Sequence, residues 1–142
     1  MLLSIIVVSY NTKDLTIQTL KSAAADVLSS KLLKDKTEIF LVDNDSKDDS
    51  VKAAKAFSKK SKVPVIVIAT GENLGFAKGN NVAVEKAKGK YIIFLNPDTI
   101  VKKGALETMV KRFENGKNEK LGVLASTLLN PDLTLQAQGG NF

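Results

Sequence analysis

Apolar residues recur along this chain in two rhythms. From Leu3 to Ser9 the run LSIIVVS is almost continuously apolar and rich in β-branched side chains. A short run without polar alternation has the pattern of a parallel strand buried on both faces. From Thr12 to about Ser30 the period lengthens. Ile17, Leu20, Ala24 and Val27 or Leu28 fall on one helical face, with Asp14 near the positive end. Glu38 to Val42 reads as a second strand. Ser46 is expected to cap a helix reaching about Lys60, with Asp48 and Asp49 in its first turn and Val51, Ala54 and Phe57 toward the core. Val63 to Ala69 reads as a third strand, and Pro64 puts its start near a sheet edge. The Gly- and Asn-rich stretch TGENLGFAKGNN leads into a helix ending at Gly89. Tyr91 to Leu95 is a fourth strand, Gly104 to Asn115 a helix stopping at Gly116, and Leu121 to Ser126 a fifth strand.

Strands alternating with helices of this length argue for right-handed βαβ units. The expected fold class is α/β, with helices covering both faces of an open, mostly parallel sheet. In such a sheet ligands bind beyond the carboxyl ends of the strands, where strand order reverses. Ser9, Tyr10 and Asn11 follow the first strand, and Asp43, Asn44, Asp45 and Ser46 the second. Gly71, Glu72, Asn73 and Gly75 follow the third, and Asn96 and Asp98 the fourth. Each cluster alone has a plain explanation. Asp43 to Ser46 reads equally well as a turn with a helix cap, Ser-Tyr-Asn as a capping segment, and NLGFAKGNN as a loop whose glycines serve backbone geometry. The glycines at 71, 75 and 79 fit neither GxGxxG nor a Walker A sequence. The meeting of four clusters on one rim points to a site, and a Gly/Asn loop entering a helix N-terminus suits a phosphate-bearing ligand.

Composition narrows the chemistry. A length of 142 residues favours one domain, without linker or repeat. Cysteine and histidine are both absent, which excludes disulfides, thiolate nucleophiles, a Ser-His-Asp triad and imidazole ligation within this chain. Any metal would have to be held by oxygen, which selects Mg2+, Mn2+ or Ca2+. The net charge of +6 comes from scattered lysines with Arg112 the only arginine. Lys59, Lys60 and Lys62 approach a cluster that reads as a solvated helix end, without the interleaved aromatics of a nucleic-acid surface. No nucleic-acid partner is expected. The charge suits attraction to anionic lipid or a polyphosphate ligand. The opening MLLSIIVVSY is too short to span a bilayer and reads as a strand, so the chain is expected to be cytoplasmic.

The segments SIIVVSYN, IFLVDNDSKDDS, NLGFAKGNN and GKYIIFLNPDT stand in an order and spacing similar to those of glycosyltransferase family 2 enzymes with the GT-A fold. The forms VDNxS, NLGFAxGNN and LNPDT resemble most closely its rhamnosyltransferase-like branch. The resemblance covers nearly the whole chain. It implies a Rossmann-like three-layer sandwich binding a nucleotide-sugar donor, and implies roles position by position. Val8, Ser9 and Tyr10, with Asn11 beside them, match residues that hold base and ribose. Asp43 and Asn44 match the acidic pair at the pyrimidine ring, with Asn in the second place. The segment from Asn73 to Asn80, including Gly75 and Phe76, matches the part lying against nucleotide and diphosphate. Asn96-Pro97-Asp98 stands at the family's DxD position, with Asp98 as anchor for Mg2+ or Mn2+ and Asn96 as a hydrogen-bonding neighbour.

The resemblance also implies inversion by a carboxylate general base in a C-terminal acceptor-binding half. Asp132 lies too early to be that base. Residues 1–142 are thus expected to be the donor domain of a larger enzyme, inactive alone and taking UDP- or dTDP-sugars. The acceptor would be a saccharide or lipid-linked glycan, with the full-length enzyme at the inner face of a membrane. Two other readings are a receiver-like signalling module, whose acids also follow a parallel strand, and a non-catalytic interaction domain. Asn-Pro-Asp recurs at Asn130-Pro131-Asp132 before Leu133-Thr134 and the alternating Leu135-Gln136-Ala137-Gln138, where it reads as a type I turn between extended segments.

Overall fold

Residues 1–115 and 121–136 are described by a computed structural model. Four parallel strands, β1 (Leu3–Ser9), β2 (Thr37–Asp43), β3 (Val65–Ala69) and β4 (Tyr91–Leu95), form one open sheet in the order β3-β2-β1-β4. They alternate with α1 (Lys13–Ser29), α2 (Ser50–Lys60), α3 (Gly75–Val84) and α4 (Ala105–Glu114). The α/β expectation holds. β1 and β2 are fully buried along their whole length, as their apolar sequences require. The edge position of β3 agrees with Pro64, which has no N–H to donate; its carbonyl instead accepts from Ile39 N at 2.9 Å. Hence β3 begins at Val65 rather than Val63.

The order fixes which face each helix takes. Steps β1→β2 and β2→β3 run in one direction, so right-handed crossovers put α1 and α2 on one face. The step from β3 back across β1 to β4 reverses direction and puts α3 on the other. On the first face Leu3, Ile5, Val7, Ile39 and Leu41 pack with Leu20 and Val27 of α1, Ala54 of α2, and Leu106 and Val110 of α4. On the second, Ile6, Val8, Phe40 and Val42 pack against Ala83 of α3. The three layers are present, but α3 covers β1 and β2 and not β4. Ile92 and Phe94, which pair in register with Ser4 and Ile6, remain 38% and 56% exposed.

Three further expectations are corrected. Leu121 to Ser126 forms no strand: it joins no ladder of the four-stranded sheet among the described residues, and Val123 is 86% exposed. Apolar sequence alone does not make a strand without a ladder partner. Ser46 does not cap α2, because its hydroxyl accepts from Asn11 N at 2.9 Å. α2 starts at Ser50, whose N–H donates to Asp48 Oδ1, so Asp48 and Asp49 precede the helix. The third helix ends at Val84, and Gly89 lies beyond it, where the chain passes directly over β1. The expected stop of α4 at Gly116 lies outside the described residues. The second Asn-Pro-Asp is a turn, with Leu133 N donating to Asn130 O and Leu129 bridging Leu135 in antiparallel pairing. Residues 137 and 138 of the expected extension lie outside the described residues.

Candidate functional site

Strand order reverses between β1 and β4, so the crevice for a ligand opens there, beyond their carboxyl ends. One wall is built from the loops after β1, β2 and β3. Ser9 and Asp43 are register partners, and Asn44 N donates to Ser9 O at 2.9 Å. Asn11 joins the first two loops. Its N–H reaches Ser46, and its side-chain carbonyl accepts from Lys47 N at 2.8 Å. Asp48 adds a bond from Lys13 N at 3.1 Å. Asn11 and Asp45 adopt φ of 53° and 67°, left-handed values that Asn and Asp tolerate. Thr70, after β3, donates its N–H to Asp43 O at 3.0 Å and so ties the third loop to the second.

The N-terminus of α3 is docked on the same wall. Asn44 Nδ2 donates to Gly75 O at 3.0 Å, and Asn73 Oδ1 accepts from Gly75 N at 2.9 Å. Gly75 has φ 75°, a conformation that suits glycine. A methyl at Gly79 would lie 3.1 Å from Val8 Cγ1 and 3.3 Å from Asn44 Oδ1, so α3 rests almost directly on the strand ends. Asn80, buried, donates to Phe76 O at 2.9 Å within the helix. Tyr10 and Phe76 leave their rings 48% and 60% exposed.

Several polar atoms at this end are buried without a partner among the described residues: Ser9 Oγ, Asp43 Oδ1, Asn44 Oδ1 and Ser50 Oγ. Asp43 uses its other oxygen to accept from Ser46 N at 2.8 Å. Each such atom costs about 1–3 kcal/mol unless something bonds to it. Ser9 and Asp43 end neighbouring strands and Asn44 follows directly, which marks a place built for a polar occupant carrying donors.

The opposite wall is the loop after β4. Asn96, Pro97 and Asp98 form a turn closed by Thr99 N and Asn96 O at 3.3 Å. Asn96 and Asp98 are exposed, and the Asp98 carboxylate has no hydrogen bond or ion pair among the described residues. An unengaged carboxylate beside a carboxamide suits a hard cation that keeps water and ligand oxygens in most of its positions. The described residues hold no cluster of three metal-ligating acids, so Asp98 would act with ligand oxygens rather than a protein cage.

Residues 4–127 match the model of Glycosyl transferase family 2. The chain belongs to that family. It is 31% identical over 100 residues to the minor teichoic acid biosynthesis protein GgaB of Bacillus subtilis, a match covering 70% of this chain and 11% of the relative. It is 31% identical over 106 residues to the poly(ribitol-phosphate) beta-glucosyltransferase of Bacillus spizizenii, covering 75% of this chain and 16% of that protein. Residues 1–349 of S. aureus TarS, solved with UDP, superpose with a TM-score of 0.70 at 25% identity, covering 81% of this chain and 32% of that one. A Pyrobaculum calidifontis mannosyltransferase in complex with GDP-Man and Mn2+ shares the fold at TM-score 0.74 and 21% identity, covering 92% and 36%. The chain thus spans a minor part of these proteins' length. The strand order also removes the receiver reading, since receivers set the third strand beside the first and here β3 lies outside β2.

The structure gathers Val8, Ser9, Tyr10, Asn11, Asp43, Asn44, Asn73, Gly75, Phe76 and Asn80 on one wall, and sets Asn96 and Asp98 on the loop across the reversal point. Asn11, Asn44, Asn73 and Asn80 each brace backbone with their side chains. Thr70 was not singled out from sequence. Its position directly after a strand was the available signal.

Proposed function

We propose that residues 1–142 form the donor-binding domain of an inverting glycosyltransferase that takes a UDP- or dTDP-sugar with Mg2+ or Mn2+. The observation that carries this reading is the set of unpartnered buried atoms on Ser9, Asp43 and Asn44, with the unengaged Asp98 carboxylate on the neighbouring loop across the strand-order reversal. Asp43 and Asn44 present acceptors to the ring N–H of a pyrimidine, and Tyr10 and Phe76 offer exposed aromatic surface to base and ribose. The α3 N-terminus, whose first amide is already taken by Asn73 Oδ1, turns the positive end of its helix dipole to the diphosphate. Asp98 holds the cation and Asn96 hydrogen-bonds to sugar or phosphate. A bound divalent cation supplies neutralisation of the charge that grows on the leaving diphosphate. The base that deprotonates the acceptor hydroxyl is assigned to no residue of this chain, so the domain binds donor and transfers little sugar alone.

The acceptor in this reading is a saccharide or lipid-linked glycan, reached at the cytoplasmic face of a membrane. The net charge of +6 supports attraction to anionic lipid. No helix among the described residues is long and apolar enough to cross a membrane.

Thermal unfolding with UDP or dTDP, with and without Mn2+, tests the proposal. At a hundredfold excess over Kd, a ligand specific for the folded state adds about 2.7 kcal/mol, an upward shift of several degrees. Asp98→Ala is expected to keep the metal-free shift and lose the increment due to Mn2+. Absence of any shift at millimolar nucleotide in the wild-type chain would refute the reading.

A further inference from the structure

The two walls of the crevice are held in different ways. The loops after β1, β2 and β3 and the start of α3 are bonded to one another. The loop after β4 is bonded to none of them among the described residues. Its bonds outside itself go to α1. Thr19 Oγ1 donates to Pro97 O at 2.8 Å. Ser22 Oγ accepts from Val101 N at 3.0 Å and donates to Thr19 O at 2.9 Å. The Asp26 carboxylate accepts from Gly104 N and from Leu106 N, the latter at 3.0 Å. Thr19, Ser22 and Asp26 are spaced i, i+3 and i+7, one stripe of the helix. Thr19 and Asp26 are buried in the fold, at 0% and 3% exposure.

We infer that this stripe of α1 is a rail that sets the position of the cation-anchoring loop, and that Thr19 is its positioning residue for Asp98. The inference rests on the donor-site reading above. The grip on this loop is made through the Pro97 carbonyl, which accepts from Thr19 Oγ1. The Pro97 carbonyl belongs to the peptide that leads into Asp98, and the Thr19 hydroxyl therefore fixes the plane of that peptide. Pro97 also restricts rotation on the other side. The side chain of Asp98, which has no partner of its own, takes its direction from this backbone. Asp26 acts further along, capping the start of α4, where Gly104 adopts φ 81°. It anchors the far end of the segment, while Thr19 anchors the near end.

Binding of UDP and dTDP to the full chain by calorimetry, each with and without Mn2+, separates positioning from stability. Thr19→Val keeps the shape of the side chain and deletes the donor. It is expected to leave metal-free nucleotide affinity within about twofold of wild type. The gain in affinity due to Mn2+ should fall by about fivefold, the effect of one neutral hydrogen bond. Thr19→Ser restores the hydroxyl and should restore the gain. Ser22→Ala, which frees Val101 N further from Asp98, serves if the valine variant does not fold; it should reduce the gain by about twofold, and an unchanged gain would then overturn the inference. A Mn2+-dependent gain in wild type that Thr19→Val leaves unchanged, or that Thr19→Ser fails to restore, overturns the inference alone. A wild-type chain that binds nucleotide with no Mn2+-dependent gain overturns the metal-assisted reading and this inference together.

Discussion

Gly89→Ala gives a stringent test of how the sheet is closed at its amino end. Between α3 and β4 the chain crosses β1 so closely that a methyl on Gly89 would overlap the Ser4 backbone nitrogen. It would also lie 2.7 Å from the Leu3 carbonyl carbon and from Ser4 Oγ. Two of these three neighbours are backbone atoms of a fully buried strand, so they do not turn aside as a side-chain tip would. The displacement would break a connected set of bonds: the buried one from Ser4 Oγ to Glu38 Oε1 at 2.7 Å, and the half-buried ones from Gly89 N to Ser4 Oγ at 2.8 Å and from Lys88 N to Glu38 Oε1 at 2.7 Å. Overpacking contributes about 1–3 kcal/mol, and weakening the donors to the buried Glu38 carboxylate about 1–3 more. Together, a loss of about 2–6 kcal/mol is a large share of the roughly 5–15 kcal/mol that holds a domain folded. At about 2.1 cal/mol/K per residue, 142 residues convert that loss into a fall in Tm of about 7–20 °C. Far-UV circular dichroism during heating and urea titration reads it directly. Gly122→Ala is the control, because no heavy atom lies within 4 Å of its methyl, and should change stability by less than about 0.5 kcal/mol. A Gly89→Ala chain melting within about 3 °C of wild type would refute the account of the crossing.

Asp26→Ala should destabilise the fold by about 3 kcal/mol, since it strips the buried acceptor from the amides of Gly104 and Leu106; chemical denaturation checks it, with Asp26→Asn expected to fall between. Glu114 accepts from Lys90 Nζ at 2.8 Å and Tyr91 Oη at 2.6 Å, and these donors hold its pKa below the ordinary 4.5. A depressed carboxylate contributes stability that is fully present above its unfolded value and is lost as pH falls through the folded one. The Tm difference between wild type and Glu114→Gln should therefore be constant near neutrality and close below pH 4.5; a difference that persists in acid would contradict the pairing.

The parts of the fold written plainly in the sequence are those set by local pattern. β1 and β2 are legible because unbroken β-branched runs have nowhere to go but a doubly covered sheet, and both prove fully buried. The stripe of Leu20, Ala24 and Val27 is legible for the same reason. What was not legible depends on partners distant in the chain. Leu121 to Ser126 has the composition of a strand but joins no ladder among the described residues. Ser46 has the chemistry of a cap, yet the Asn11 amide, 35 residues away, takes its hydroxyl. Gly89 reads as a helix stop, whereas its need for a bare α-carbon comes from Ser4, 85 residues earlier. The site followed the same division. Polar clusters after strands were visible, but the rail of Thr19, Ser22 and Asp26 looked like ordinary polar positions beside an apolar stripe. The one clue was an acid set among SAAADVL, where an unpaired buried charge would be untenable.

The two Asn-Pro-Asp turns show how far local sequence reaches when it is read one residue further. Both close the same way, by a bond from the fourth residue to the first: Thr99 N to Asn96 O at 3.3 Å, and Leu133 N to Asn130 O at 2.9 Å. Proline sets both turns, so the tripeptide decides geometry and nothing else. The difference lies two residues after the aspartate. Thr134 donates its N–H at 3.0 Å and its hydroxyl at 2.6 Å to Asp132 Oδ1, and these bonds hold the Asp132 pKa below its ordinary value. That carboxylate is occupied by its own turn. After Asp98 the same place is taken by Ile100, which has no side-chain donor and is 53% exposed. Asp98 is thus left without a local partner, while the peptide before it is gripped by Thr19 from another element. A fixed backbone carrying an unengaged carboxylate is the arrangement a cation anchor requires, and a turn that satisfies its own aspartate is not.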